Sequence, residues 1–136
     1  MDYQWLLDNT PDGISIVRSG ETLFINSQMA EILGESIEEI MSRSNFDHIH
    51  PDSLELVKSR TESRLRGEQP PNKYEIKIIR GDSAIRYIET NTSVIDWEGS
   101  PAILTINRDV TELRAREAKL EALLGHAAAM SQAETM

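Results

Sequence analysis

The side chains able to do chemistry are few, and most are poorly arranged for it. The chain has no cysteine, which removes disulfides, thiolate nucleophiles, cysteine-ligated zinc and iron–sulfur clusters together. A covalent flavin adduct, which needs a thiol, goes with them. His48 and His50 lie close together in Asn45-Phe46-Asp47-His48-Ile49-His50-Pro51. A haem needs an axial ligand facing an apolar slot, whereas His50 before Pro51 reads as a turn or helix-entry residue. No motif asks for haem or noncovalent flavin, no metal site is expected, and the identity of any cofactor stays open. His126 lacks the acidic-Arg-Pro surroundings of a phosphoacceptor histidine and reads as a surface residue. Tyr74 or Tyr87 with Glu89 would give the donor and base of a small isomerase. Glu89 and Tyr87, two apart on one strand, share a face that should be the outer one, where nothing desolvates a carboxylate. Catalysis is not expected.

Two other groupings remain. Asp109-Val110-Thr111-Glu112 has the acid-x-x-Glu spacing of a helix start, worth about 1 kcal/mol as a plain cap. Thr90, Thr92, Thr105 and Asn107 stand at alternate positions among aliphatics, where they can orient a small polar ligand or simply bond to nearby backbone.

Composition narrows the setting. The 136 residues are 39% hydrophobic and 27% charged, enough for one domain with its own core and too polar for a membrane protein. No long apolar run or signal-peptide order is present, so a soluble, cytoplasmic segment without membrane contact is expected. A net charge of −9 argues against nucleic acid, which needs a basic face. Ten of the 14 basic residues are arginine, an acidic and lysine-poor balance compatible with a salt-rich cytoplasm.

The elements that must position these groups follow from periodicity. Residues 2–8 form a short helix, and Asn9-Thr10-Pro11-Asp12-Gly13 breaks it. Ile14–Val17 and Thr22–Ile25 are β-prone runs joined at Ser19-Gly20 in a tight hairpin. Ser27 is expected to cap a short helix that Gly34 stops. Ser36-Ile37-Glu38-Glu39 opens another, and Asp52 with Glu55 should box the start of a longer helix after Pro51. Its apolar stripe reads Leu54, Val57, Thr61 and Leu65, with Gly67 as terminator. Tyr74, Ile76 and Ile78 alternate with Glu75 and Lys77 as a half-buried strand. Gly81-Asp82-Ser83 and Glu98-Gly99 then separate it from a long strand over 85–95 and a last one over 101–107. From Thr111 to about Leu124 a helix carries Leu113, Leu120 and Ala127 at seven-residue intervals, Leu124 between them, and Glu117 as the imperfection. Residues 126–136 should fray. The order predicts an α+β domain: one five-stranded antiparallel sheet with helices on one face, flanked by an N-terminal and a C-terminal helix.

Five stretches, in this order, resemble the PAS sensory family. They are Leu7-Asp8-Asn9-Thr10-Pro11-Asp12-Gly13-Ile14, Phe24-Ile25-Asn26, Ile49-His50-Pro51-Asp52, Tyr74-Glu75-Ile76 and Arg108-Asp109-Val110-Thr111-Glu112, the last similar to the family's Asp-Ile-Thr signature. The resemblance covers residues 5–113; its one small departure is Gly81-Asp82-Ser83, where the family often has Asp-Gly. It implies three parts: a flanking helix over 1–10, a sensory domain over 11–110, and a connecting helix and tail over 111–136.

It further implies a sheet cupping a small cavity, a homodimer, and an output domain such as a histidine kinase elsewhere in the same polypeptide. By alternation, Tyr74, Ile76, Ile78, Ile88, Thr90, Thr92, Ile103, Thr105 and Asn107 face inward, and Leu54 and Val57 join them from the long helix as candidates to line a ligand pocket. Asp109, Val110, Thr111 and Glu112 become the joint that transmits strain in the last strand to the exit helix. Trp5, Leu6, Tyr87, Leu113, Leu120 and Leu124 are the dimer candidates. The alternative is a constitutive interaction module with an empty core.

Overall fold

The computed structural model describes residues 7–134. Strands β1 (Gly13–Arg18) and β2 (Glu21–Ile25) form a hairpin, followed by helices α1 (Ser27–Leu33), α2 (Ile37–Met41) and α3 (Pro51–Leu65). Strands β3 (Lys73–Ile79), β4 (Ile85–Trp97) and β5 (Ser100–Asp109) make a meander, and α4 (Thr111–Glu134) leaves it. All neighbours are antiparallel in the order β2-β1-β5-β4-β3, so the early pair and the late triple join where β1 meets β5. The expected α+β architecture is therefore present. Only Leu7 and Asp8 of the expected N-terminal helix are described, and both are helical; Trp5 and Leu6 lie outside the described residues.

Local chemistry explains the turns. Ser19 and Gly20 both have positive φ, 52° and 83°, as a two-residue turn matched to strand twist requires. Gly34 ends α1 at φ 70°, where a side chain would also strike the Arg80 guanidinium. Ser36 caps α2 through its hydroxyl, which accepts from Glu39 N–H at 3.1 Å.

Two caps differ from expectation. Asn26, not Ser27, caps α1; it is 1% exposed and its Oδ1 accepts from Met29 N–H and Ile14 N–H, while Nδ2 donates to the carbonyls of Leu7 and Asp12. One amide thus satisfies a helix start, a strand and the incoming chain together, which a lone hydroxyl at Ser27 cannot do. His50, not Asp52, caps α3: its Nδ1 accepts from Asp52 N–H at 3.0 Å, and Asp52 turns outward to Lys77 Nζ at 3.0 Å.

The rotation of α3 is also corrected. Its buried residues are Ser53 and Arg64, while Leu65 is 43% exposed. Ser53 Oγ accepts from Lys77 N–H at 2.9 Å, and Arg64 donates to Asn72 Oδ1 and Pro71 O at 2.8 and 2.9 Å. These polar ties turn the inward face toward 53/57/64, and an apolar stripe read alone places it one position off.

The core gathers Ile25, Met29, Ile32, Leu33 and Ile40 from the hairpin and helices against Ile76, Ile78 and Ile88 from the sheet. The exit helix stands clear of it: residues 112–131 are all exposed. It runs to Glu134 rather than fraying at 126, as the strong helix preference of Ala127-Ala128-Ala129 favours.

Candidate functional site

Between the sheet and the helices lies a cavity of about 90 Å³. Every inward residue expected on β3, β4 and β5 lines it: Tyr74, Ile76, Ile78, Ile88, Thr90, Thr92, Ile103, Thr105 and Asn107. Val57 and Thr61 reach it from α3; Leu54 does not, because the helix is rotated as described above. Sequence reasoning missed the wall built by the hairpin and the loop before α3, namely Ser15, Thr22, Asn45 and His48, together with Ile25, Met29, Leu33 and Ile40. Alternation along Gly13-Ile14-Ser15-Ile16-Val17 contains the signal for Ser15; nothing local marks Asn45.

The polar groups of the floor largely satisfy one another. The Ser15 and Thr105 hydroxyls share a hydrogen bond across β1 and β5, and Asn107 Nδ2 donates to Thr105 Oγ1 and Gly13 O at 2.9 and 3.2 Å. Thr92 Oγ1 donates to Asn72 O at 3.3 Å. Tyr74 sits with its ring 4.6 Å from the Arg60 guanidinium, and burial pushes its phenol above the ordinary range. His48, 5% exposed, places Nε2 at 3.0 Å from Glu35 Oε1 and 3.1 Å from Arg43, and Arg43 also pairs with Glu35. Burial works against the Glu35 carboxylate, but the His48 and Arg43 hydrogen bonds outweigh it and hold its pKa below the ordinary range.

The cavity is smaller than the roughly 150 Å³ that holds one benzene. A porphyrin or an isoalloxazine does not fit these walls, and both histidines face polar partners. Among the described residues no group of three or more His, Cys, Asp or Glu is placed to hold a metal ion.

The second feature is the root of α4. Asp109, the last residue of β5, accepts from Arg86 Nε at 2.8 Å through Oδ2 and from Thr111 N–H at 2.9 Å through Oδ1. Partial burial disfavours its charge, yet the bonds from Thr111 and Arg86 prevail and hold its carboxyl below the usual aspartate range. Val110 is buried, and its N–H donates to Tyr87 O at 2.8 Å. Thr111 Oγ1 accepts from Tyr87 N–H at 2.8 Å. Glu112 points to solvent and takes no part in this lock.

One turn on, Arg114 lies 4.2 Å over the Tyr87 ring and 3.2 Å from Glu75 Oε1. Tyr87, one of the dimer candidates, is half-buried and carries the Arg114 guanidinium of its own exit helix over its ring. Leu113, Leu120 and Leu124 are 53–61% exposed.

The chain thus combines an antiparallel cup around a partly open cavity with a long exposed helix anchored to a strand that floors it. The chain belongs to the PAS family, whose fold model matches residues 2–110. Its solved neighbours share that fold. The PAS domain of an HTR-like protein from Haloarcula marismortui has a TM-score of 0.65 at 24% identity, covering 79% of this chain and 88% of that one. A sensory box histidine kinase/response regulator from Burkholderia thailandensis has a TM-score of 0.69 at 17% identity, covering 93% and 97%. Sporulation kinase A of Bacillus subtilis is 22% identical over 116 residues, 85% of this chain. The chain spans about a fifth of that kinase, 19%. It is thus a PAS sensory domain akin to those of sensor histidine kinases, a kind of module that is typically non-catalytic. No helix of the described residues is long and apolar enough to cross a membrane.

Proposed function

We propose that this domain senses by the occupancy of its cavity and transmits the change through Asp109–Thr111 to α4. The observation that carries this reading is the double attachment of α4 to Tyr87, the β4 residue immediately before the cavity residue Ile88. A strand that shifts to accommodate a ligand at Ile88, Thr90 and Thr92 moves the anchor of the helix with it. The PAS domain of a Burkholderia thailandensis LuxR-family regulator is described in complex with ethanol, which supports small-molecule occupancy in this fold. The output is a kinase-like domain of the same polypeptide, a cytoplasmic arrangement in keeping with the kinase relatives.

The protruding α4 is the dimer element. Its Leu113, Leu120 and Leu124 seam is fully displayed, and a second copy of the same helix covers it as a coiled coil. That exposed seam also favours the second reading, a dimer that forms whether or not the cavity is filled.

A chimaera in which residues 1–136 replace the PAS unit of a sensor histidine kinase tests the proposal. Filling the cavity with Val57→Phe should change autophosphorylation, and adding Thr111→Val should erase that change. Equal autophosphorylation in all three proteins refutes transmission and leaves the constitutive dimer.

A further inference from the structure

Helix α4 is held to the sheet at two places, and the two differ in chemistry. The inner one is Tyr87, whose backbone N–H and C=O bond to Thr111 Oγ1 and Val110 N–H at 2.8 Å each. These bonds join neutral groups at contact distance, so dissolved ions hardly weaken them. Asp109 and Arg86 brace them from β5 and β4, with side chains only 20% and 30% exposed. Both backbone bonds go to a single residue, however, and a rod pinned at one point is free to swing about it.

The outer place is Arg114, one turn further on. Its guanidinium lies 4.2 Å over the Tyr87 ring and 3.2 Å from Glu75 Oε1, which belongs to the edge strand β3 rather than to β4. Attachment to a second strand turns the pivot into a fixed direction. Among the described residues, no ion pair or ring contact ties residues 115–134 to the rest of the chain, so Arg114 is the last hold on the helix.

Both halves of that hold are electrostatic and reach solvent. The Arg114 and Glu75 side chains are 49% and 48% exposed. Lys77, paired with Asp52, stands 5.8 Å from the same ring and brings a like charge toward Arg114. An exposed ion pair is weak and yields to salt. The screening length falls from about 10 Å at 0.1 M to about 3 Å at 1 M, which is the length of the contact itself.

We propose that Arg114 is a salt-released latch. At low ionic strength it holds α4 in one direction; at high ionic strength it lets go and the helix swings on Tyr87, whatever the cavity contains. Dissolved ions thereby act on the exit helix without entering the core.

The chain has no cysteine, so two introduced ones are unique labelling sites. Ser59→Cys on α3 and Ala122→Cys on α4, both exposed positions, carry nitroxide labels. Labelled chain is diluted into excess unlabelled chain, and double electron–electron resonance then reads distances within one chain. Between about 0.1 M and about 1 M sodium chloride the distance distribution should widen roughly 1.5-fold or more. With Arg114→Met, which keeps the stem and drops the charge, it should be wide at both salt levels. Arg114→Lys should restore the narrow distribution at low salt only. Tyr87 and Thr111 amide shifts should stay in place throughout, marking the inner hold as intact. A wild-type distribution equally narrow at both salt levels overturns the latch, as does Arg114→Met behaving like wild type. Salt that shifts Tyr87 and Thr111 together with the distance also overturns it, for the whole root is then released. None of these results bears on transmission from the cavity, which is read by the chimaera above.

Discussion

Tyr87 holds Thr111 at the base of the exit helix: the Thr111 hydroxyl accepts from the Tyr87 N–H at 2.8 Å, and the Tyr87 carbonyl accepts from the N–H of Val110, the residue before Thr111, at 2.8 Å. The first bond uses a side chain where a further strand residue would have used its backbone. The sheet's hydrogen-bonding pattern is thereby handed to the first turn of a helix. A helix start is thus also the end of the sheet, and neither can move without the other.

Asp109→Ala should destabilise the domain by about 1–2 kcal/mol, since it removes a capping acceptor and strands Arg86. In a double-mutant cycle with Arg86→Ala, the double mutant should lose less stability than the two single effects summed, because they share one contact. Urea unfolding of the four proteins measures this, and strict additivity would separate the pair.

The pH dependence has a definite sign. The carboxyl of Asp109 lies below its ordinary value of 3.8 in the folded chain. Its contribution is therefore fully present above pH 3.8 and is lost as pH falls through the lower folded value. The gap in melting temperature between wild type and Asp109→Ala should be constant near neutrality and narrow below about pH 4. A gap that widens on acidification contradicts the assignment.

Asn26→Ala should be among the costliest polar substitutions, about 2–4 kcal/mol, for it orphans two backbone donors and removes two donations to the carbonyls of Leu7 and Asp12. Ser27→Ala, at the position that sequence spacing favoured for the cap, should change stability by less than 0.5 kcal/mol on the order of surface effects. Chemical denaturation of the two variants side by side distinguishes the caps.

Removing residues 116–136 should leave the melting temperature within about 3 °C of the full chain, because the residues of α4 described after Arg114 are exposed. The same deletion should convert a dimer into a monomer in sedimentation equilibrium. A monomeric full chain, or a truncated dimer, removes α4 from the dimer interface.

How much of this was legible beforehand depends on whether the signal was local. Strand alternation, a period-two property of consecutive residues, placed Thr90, Thr92, Thr105 and Asn107 on the cavity side. Gly34 and Ser36 announced their helix ends through their own backbone and hydroxyl chemistry. What escaped depends on partners distant in sequence. The rotation of α3 is set by Ser53 and Arg64 bonding to residues 77 and 71–72, so an apolar count mistook Leu54 and Leu65 for its inner face. His50 took the capping role from Asp52 because Lys77 draws the carboxylate away. Likewise Asn45 and His48 enter the cavity wall only once the loop before α3 has folded across the sheet.

Amide hydrogen exchange with and without a bound cavity probe tests the central claim most directly. In wild type, ethanol at saturation should change protection at Ile88 and Thr90 and, through Tyr87 and Thr111, along the first turns of α4. In Thr111→Val the changes should persist at Ile88 and Thr90 but stop short of α4. Identical changes along α4 in both proteins would show that occupancy reaches the helix by another route, or that the joint carries no signal.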